Sequence, residues 1–80
     1  MEIESKLRNF ILDNYLFTDD QSVLNNEDSF LDKGIIDSTG ILELIFFLEE
    51  ELGVVVEDKE MIPENLDSVM NVMKFVESKV

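Results

Sequence analysis

A chain of 80 residues leaves room for one small domain, residues 1–80, with a modest core and no second domain. Apolar residues make up 45% and charged residues 31%, which is too hydrophobic for a disordered tail and too interrupted for a membrane span. Nineteen acidic against six basic side chains give a formal charge of −13, which repels nucleic-acid phosphates and anionic lipid and attracts basic protein surfaces.

The first residues show the helical period. Ile3, Leu7, Phe10 and Ile11 recur at i, i+4, i+7 and i+8 with charged residues between them, predicting a first helix from Glu2 to about Tyr15. From Phe17 to Asp37 the chain is rich in Asp, Asn and Ser and reads as a long loop, since these side chains compete for backbone hydrogen bonds. Val23, Leu24, Phe30, Leu31, Ile35 and Ile36 are its candidate anchors to a core.

Ser38 to Leu52 is helical again, with Ile41, Leu44, Ile45, Leu48 and Leu52 on one side. Gly53 suits the left-handed residue that closes this second helix, and Val54 to Val56 reads as an extended, partly buried connector. A short third helix is expected over Asp58 to Ile62, ended by Pro63. Asp67 or Ser68 then caps a last helix with Val69, Val72, Met73, Val76 and Val80 on one face. The fold class is therefore all-α: a four-helix bundle of three main helices and a short third, with a long loop between the first two. Its interior is expected to be lined by Ile11, Leu44, Ile45, Leu48, Val69, Met73 and Val76, with Met70 and Met73 as adaptable filling.

The chemistry-bearing segment is DSTGILEL, from Asp37 to Leu44, where a serine meets the start of an amphipathic helix. Asp37 or Ser38 can cap the free backbone N–H groups of the first turn. Alternatively, the Ser38 hydroxyl is free to carry a phosphate-linked group whose anion lies by the positive helix end.

The segment GIIDSTGILELIFFLEEELG, from Gly34 to Gly53, resembles the phosphopantetheine-attachment region of the acyl carrier protein family. DSFLDKGI before it and IPENLDSVMNVMKFV after it are similar to the family's loop and fourth helix, so nearly the whole chain is covered. The resemblance implies a carrier, not an enzyme. A phosphopantetheinyl transferase (holo-acyl-carrier-protein synthase) would move 4'-phosphopantetheine from coenzyme A onto Ser38, and the arm's thiol would hold acyl or aminoacyl groups as thioesters. Asp37 matches the family's acid before the serine. Leu42, Glu43, Phe46, Glu49 and Glu50 match the contacts of its second helix with partners that present a basic docking surface: a ligase, acyltransferase or synthase of lipid or secondary-metabolite synthesis. Gly40 stands where fatty-acid carriers commonly have an acid, which removes one contact and, on helix propensity, loosens the turn. GIIDS is closer to carriers that serve a dedicated AMP-forming ligase or peptide-type assembly.

Other classes fit less well. With neither cysteine nor histidine the chain has no thiolate nucleophile, no usual general base for Ser38 and no obvious metal-ligand set. An EF-hand needs Gly at its sixth position and Glu at its twelfth, but Gly34, Gly40 and Gly53 place Gly40, Phe46 and Lys59 there. A noncatalytic acidic interaction module stays as the alternative. The opening MEIESKLRNF has no basic-then-apolar signal pattern, which points to the cytoplasm, and the like-charged surface points to a monomer.

Overall fold

The computed structural model describes residues 2–79. Its elements are α1 (Glu2–Ile11) with a π turn (Leu12–Leu16), a loop, α2 (Ser38–Leu52), α3 (Pro63–Leu66) and α4 (Val69–Lys79), with no strand among the described residues. The all-α architecture follows the hydrophobic periods. Leu7 and Ile11 of α1, Leu44 and Leu48 of α2, Leu66 of α3, and Val69, Val72 and Val76 of α4 are buried together. No described helix is long and apolar enough to cross a membrane.

Four expectations need correction. The α period stops at Ile11, short of Tyr15, where Asn14 Nδ2 donates to the Phe10 carbonyl (2.8 Å) and so competes with the backbone ladder. The wider π turn follows and ends at Phe17 in the left-handed region, φ 54°. The short third helix is displaced. Asp58–Glu60 forms one 3₁₀ turn, and Pro63 opens α3 instead of ending a helix, because its missing N–H is no loss at a first helical position. Val23 and Leu31 are exposed, leaving Leu24, Phe30 and Ile36 as the buried loop anchors. Met73 packs against the core only partly buried. Val80 lies outside the described residues.

Three other expectations of the fold hold in detail. Gly53, φ 67°, closes α2 and donates its N–H to the Leu48 carbonyl. Val54 and Val56 point inward and Val55 outward, as extended backbone dictates. Ser68, not Asp67, caps α4, its hydroxyl accepting from Asn71 N–H (3.1 Å).

The long loop is held by polar bonds as well as apolar anchors. Arg8 donates to Gln21 Oε1 (3.0 Å), the Gln21 carbonyl (2.8 Å), the Leu24 carbonyl (2.7 Å) and Asn26 Oδ1 (2.6 Å). The Asn26 carbonyl in turn accepts from Met70 N–H (2.9 Å) in the first turn of α4. Asp67 receives Phe30 N–H on its carbonyl (2.7 Å), and its carboxylate accepts from Leu31 N–H (3.1 Å) and the Ser29 hydroxyl.

Phe17 is 80% exposed and gains little from burial, while left-handed backbone costs a non-glycine residue about 1–2 kcal/mol. Phe17→Asn, a residue that tolerates this region, is expected to stabilise the fold by about 0.5–1 kcal/mol in urea unfolding. Unchanged or lower stability would mean that the exposed ring has a stabilising contact that outweighs the backbone strain.

Candidate functional site

The site is built at the first turn of α2. Asp37 occupies the cap position in extended backbone (φ −91°, ψ −177°), and its Oδ1 accepts from Gly40 N–H (2.7 Å). The cap is therefore Asp37, and Ser38 becomes the first helical residue. Ser38 is exposed, and among the described residues no side chain or backbone group is hydrogen-bonded to its hydroxyl. It stands on the rim of a small groove of about 180 Å³ whose walls include Leu31, Ile41, Met61, Ile62 and Leu66. Met61, Ile62 and Leu31, half-exposed apolar side chains, thus gather beside the serine. The expected interior residues Ile11, Leu44, Leu48, Val69 and Val76 are packed in the core and do not line this groove.

Gly40 has a role that helix propensity does not show. It is buried, and a Cβ built on it would lie 2.6 Å from Ile36 Cγ2 and 3.2 Å from the Tyr15 ring. Its lack of a side chain lets Tyr15 and the loop residue Ile36 close onto the turn that carries Ser38. The Tyr15 hydroxyl donates to Glu43 Oε1 (3.0 Å) and lies 3.3 Å from the Gly40 carbonyl oxygen. The expectation of a loosened turn is reversed: glycine makes this a close contact.

The Tyr15 phenol is pushed up to about 12, chiefly by burial, then by its bond to Glu43 and the charges of Glu43 and Asp37. A raised folded-state value means that the neutral phenol's contribution to stability is complete below the ordinary value near 10. That contribution is lost as pH rises through about 12. With one tyrosine and no tryptophan, phenolate absorbance reports this group alone. A midpoint near 12 that falls in Glu43→Gln is expected, and a midpoint at the ordinary value would show that neither the burial of the phenol nor its bond to Glu43 persists in solution.

Of the five residues expected to meet partners, four line one groove and Glu49 does not. Leu42 and Phe46 are exposed, at 58% and 63%. Together with Glu43 and Glu50 they line a second, larger groove of about 800 Å³ between α1 and α2. Glu49 is exposed but does not line it; on the helical wheel it lies between Ser38 and Leu42, about 20° from each. The rest of the groove lies outside the residues that the sequence pattern singles out: Lys6, Asn9 and Phe10 of α1, Asn14 and Tyr15 of the π turn, and Glu51 of α2. Phe10, expected on the core face, packs against the core only half buried and stacks on Phe47 with ring centroids 4.3 Å apart. The available signal was two aromatic residues, Phe10 and Phe47, at the margins of their helical stripes.

Set against models of known protein families the chain matches none, and a comparison with curated proteins gives no match either.

Proposed function

We propose that this chain is a carrier protein that holds acyl or aminoacyl groups as thioesters on a 4'-phosphopantetheine arm attached to Ser38, and that it catalyses nothing alone. The observation that carries the reading is the division of labour at the start of α2. Asp37 caps the helix, so Ser38 keeps an exposed, uncommitted hydroxyl at the helix N-terminus. A phosphodiester formed there would lie by the backbone N–H groups that favour anions. The apolar groove alongside, walled by Ile41, Met61 and Ile62, suits the hydrocarbon parts of an arm or its cargo. The resemblance of Gly34–Gly53 to the attachment segment of acyl carrier proteins supports the same reading.

In the loading step the Ser38 oxygen attacks the phosphorus of coenzyme A that bears the pantetheine. The adenosine bisphosphate half leaves, and the serine proton passes to a base of the transferase, since this chain has no histidine. The arm supplies the thiol that the chain lacks. Partners are then a phosphopantetheinyl transferase and a ligase, acyltransferase or synthase with a basic docking surface, drawn by the net charge of −13. GIIDS favours a dedicated AMP-forming ligase as the source of cargo, and the cytoplasm, where coenzyme A is available, is the proposed location.

Because the chain contains no cysteine, any protein thiol after incubation with coenzyme A and a broad-specificity transferase must belong to the arm. Maleimide labelling is expected for the native chain and not for Ser38→Ala. Equal labelling of Ser38→Ala would place the arm elsewhere. The interaction-module alternative predicts that Ser38→Ala keeps full function in the cell, whereas a carrier loses it completely while remaining folded.

A further inference from the structure

We propose that the small groove beside Ser38 is a cargo seat selective for an aminoacyl group with a short aliphatic side chain, and that Asp67 receives its ammonium. That the cargo hangs from Ser38 rests on the carrier reading. The make-up of the groove does not.

The groove walls are apolar but for two residues, Ser38 on the rim and Asp67. A site of this kind suits a ligand that is mostly hydrocarbon and carries one polar group to fix its orientation. Asp67 is the single ionisable residue of the walls, and none of the chain's six basic side chains is among them. The complementary charge is therefore positive. An acyl group ending in a carboxylate would meet Asp67 with no cation in the groove to offset the repulsion.

The Asp67 carboxylate has capacity for this contact. It accepts from Leu31 N–H (3.1 Å) and from the Ser29 hydroxyl, two bonds on a group with about four lone-pair sites. A third bond from an ammonium would be charge-assisted. The same two bonds, with Phe30 N–H on the Asp67 carbonyl (2.7 Å), fasten the loop to the residue that follows α3. Leu31 of the loop and Leu66 of α3, both walls of the groove, are thus held together at Asp67. The seat is formed before cargo arrives, which lowers the ordering cost of filling it.

Volume sets the length of the cargo. About 180 Å³ corresponds to roughly six water-sized groups at about 30 Å³ each, room for a branched chain of three or four carbons and an ammonium. On the same measure a fatty chain of about twelve carbons needs twice the space. The core residues Leu44, Leu48 and Val76 do not line the groove, so the buried interior does not extend it. Contact with so few atoms is weak by itself, but a tether at the rim raises the effective concentration to the order of mM.

The full chain is loaded at Ser38 by a broad-specificity transferase from coenzyme A analogues bearing valyl, 3-methylbutyryl or succinyl groups, an amide replacing the hydrolysable thioester. The first two differ only in the ammonium. Intact mass confirms one arm per chain, and amide NMR compares each sample with the chain that carries the bare arm. Shifts at Leu31, Ile41, Met61 and Leu66 are expected to be largest with valyl, smaller with 3-methylbutyryl and absent with succinyl. The ammonium of an isotope-labelled valyl group should titrate about one pH unit higher in the native chain than in Asp67→Asn, about tenfold in proton affinity, because a nearby carboxylate favours its charged form. Glu77→Gln removes an equal charge from an exposed position of α4 outside the groove and should leave that midpoint in place. Asparagine keeps an oxygen for Leu31 N–H, and should Asp67→Asn still fail to fold, the valyl and 3-methylbutyryl comparison in the native chain decides alone. Equal shifts from those two groups, seating of succinyl, or a midpoint unmoved in a folded Asp67→Asn chain would overturn the proposal and leave the carrier reading standing. Failure of Ser38 to accept any arm would overturn both.

Discussion

Replacing Gly40 with alanine is expected to destabilise the fold by about 1–3 kcal/mol, although alanine is the better helix former by about 1 kcal/mol. The added Cβ would come within 2.6 Å of Ile36 Cγ2 and 3.2 Å of the Tyr15 ring. Ile36 is fully buried and its Cγ2 sits directly on a branched Cβ, so it cannot swing aside as the end of a long side chain would. Either the loop residue or the end of α1 must move, and each is tied to the turn that carries Ser38. Thermal unfolding should register a fall of roughly 4–8 °C per kcal/mol for a domain of this size. The amide at position 40, held by Asp37 at 2.7 Å in the native chain, should exchange faster in the variant if the cap is disturbed. A variant that melts higher than the native chain would mean that helix propensity, not space, governs this position.

Arg8→Met is expected to cost about 3 kcal/mol, because it removes four charge-assisted hydrogen bonds while keeping a stem of similar length. The carbonyls of Gln21 and Leu24 then lose their side-chain donor, and Asn26 is left with its bond to Glu4 (2.7 Å) as its remaining side-chain tie to α1. The effect should travel. The Asn26 carbonyl accepts from Met70 N–H, so amide exchange at Met70 should speed up together with that of the loop. Loss below about 0.5 kcal/mol, with Met70 exchange unchanged, would show that Leu24, Phe30 and Ile36 hold the loop without the guanidinium.

These two residues also show where the sequence was legible. The bounds of α2 were readable because Asp37, a long apolar period and Gly53 mark both ends and the face between them. The loop's burial was readable only in part, since irregular backbone carries no period: Leu24 and Leu31 look alike in sequence, yet one is buried and the other exposed. Pro63 looks like a stop in the sequence because proline disfavours helix before it, whereas the same ring is well suited to start one. Gly40 read as a weakness because propensity is local, while the space it leaves is filled by Tyr15, 25 residues earlier.

At the candidate site, Asp37 and Ser38 stood out from the sequence, but which of them capped the helix did not. Both are good caps, and only the Asp37 bond to Gly40 N–H separates them. Met61, Ile62 and Leu66, beside Ser38, come from a segment whose helix begins at Pro63, later than its sequence pattern suggests, so their convergence is hidden in the sequence. The α1 side of the large groove was hidden for a similar reason. Phe10 belongs to the apolar stripe of α1 and Tyr15 to the π turn after it, and only the docked pair of helices shows that this apolar surface extends past the core.

The most direct test of the carrier claim is the intact mass of the chain after incubation with coenzyme A and a broad-specificity phosphopantetheinyl transferase, followed by fragment mapping. A gain of one phosphopantetheine per chain is expected, located on Ser38 and absent from a folded Ser38→Ala variant. No gain with several competent transferases, or a gain on any other residue, would contradict it.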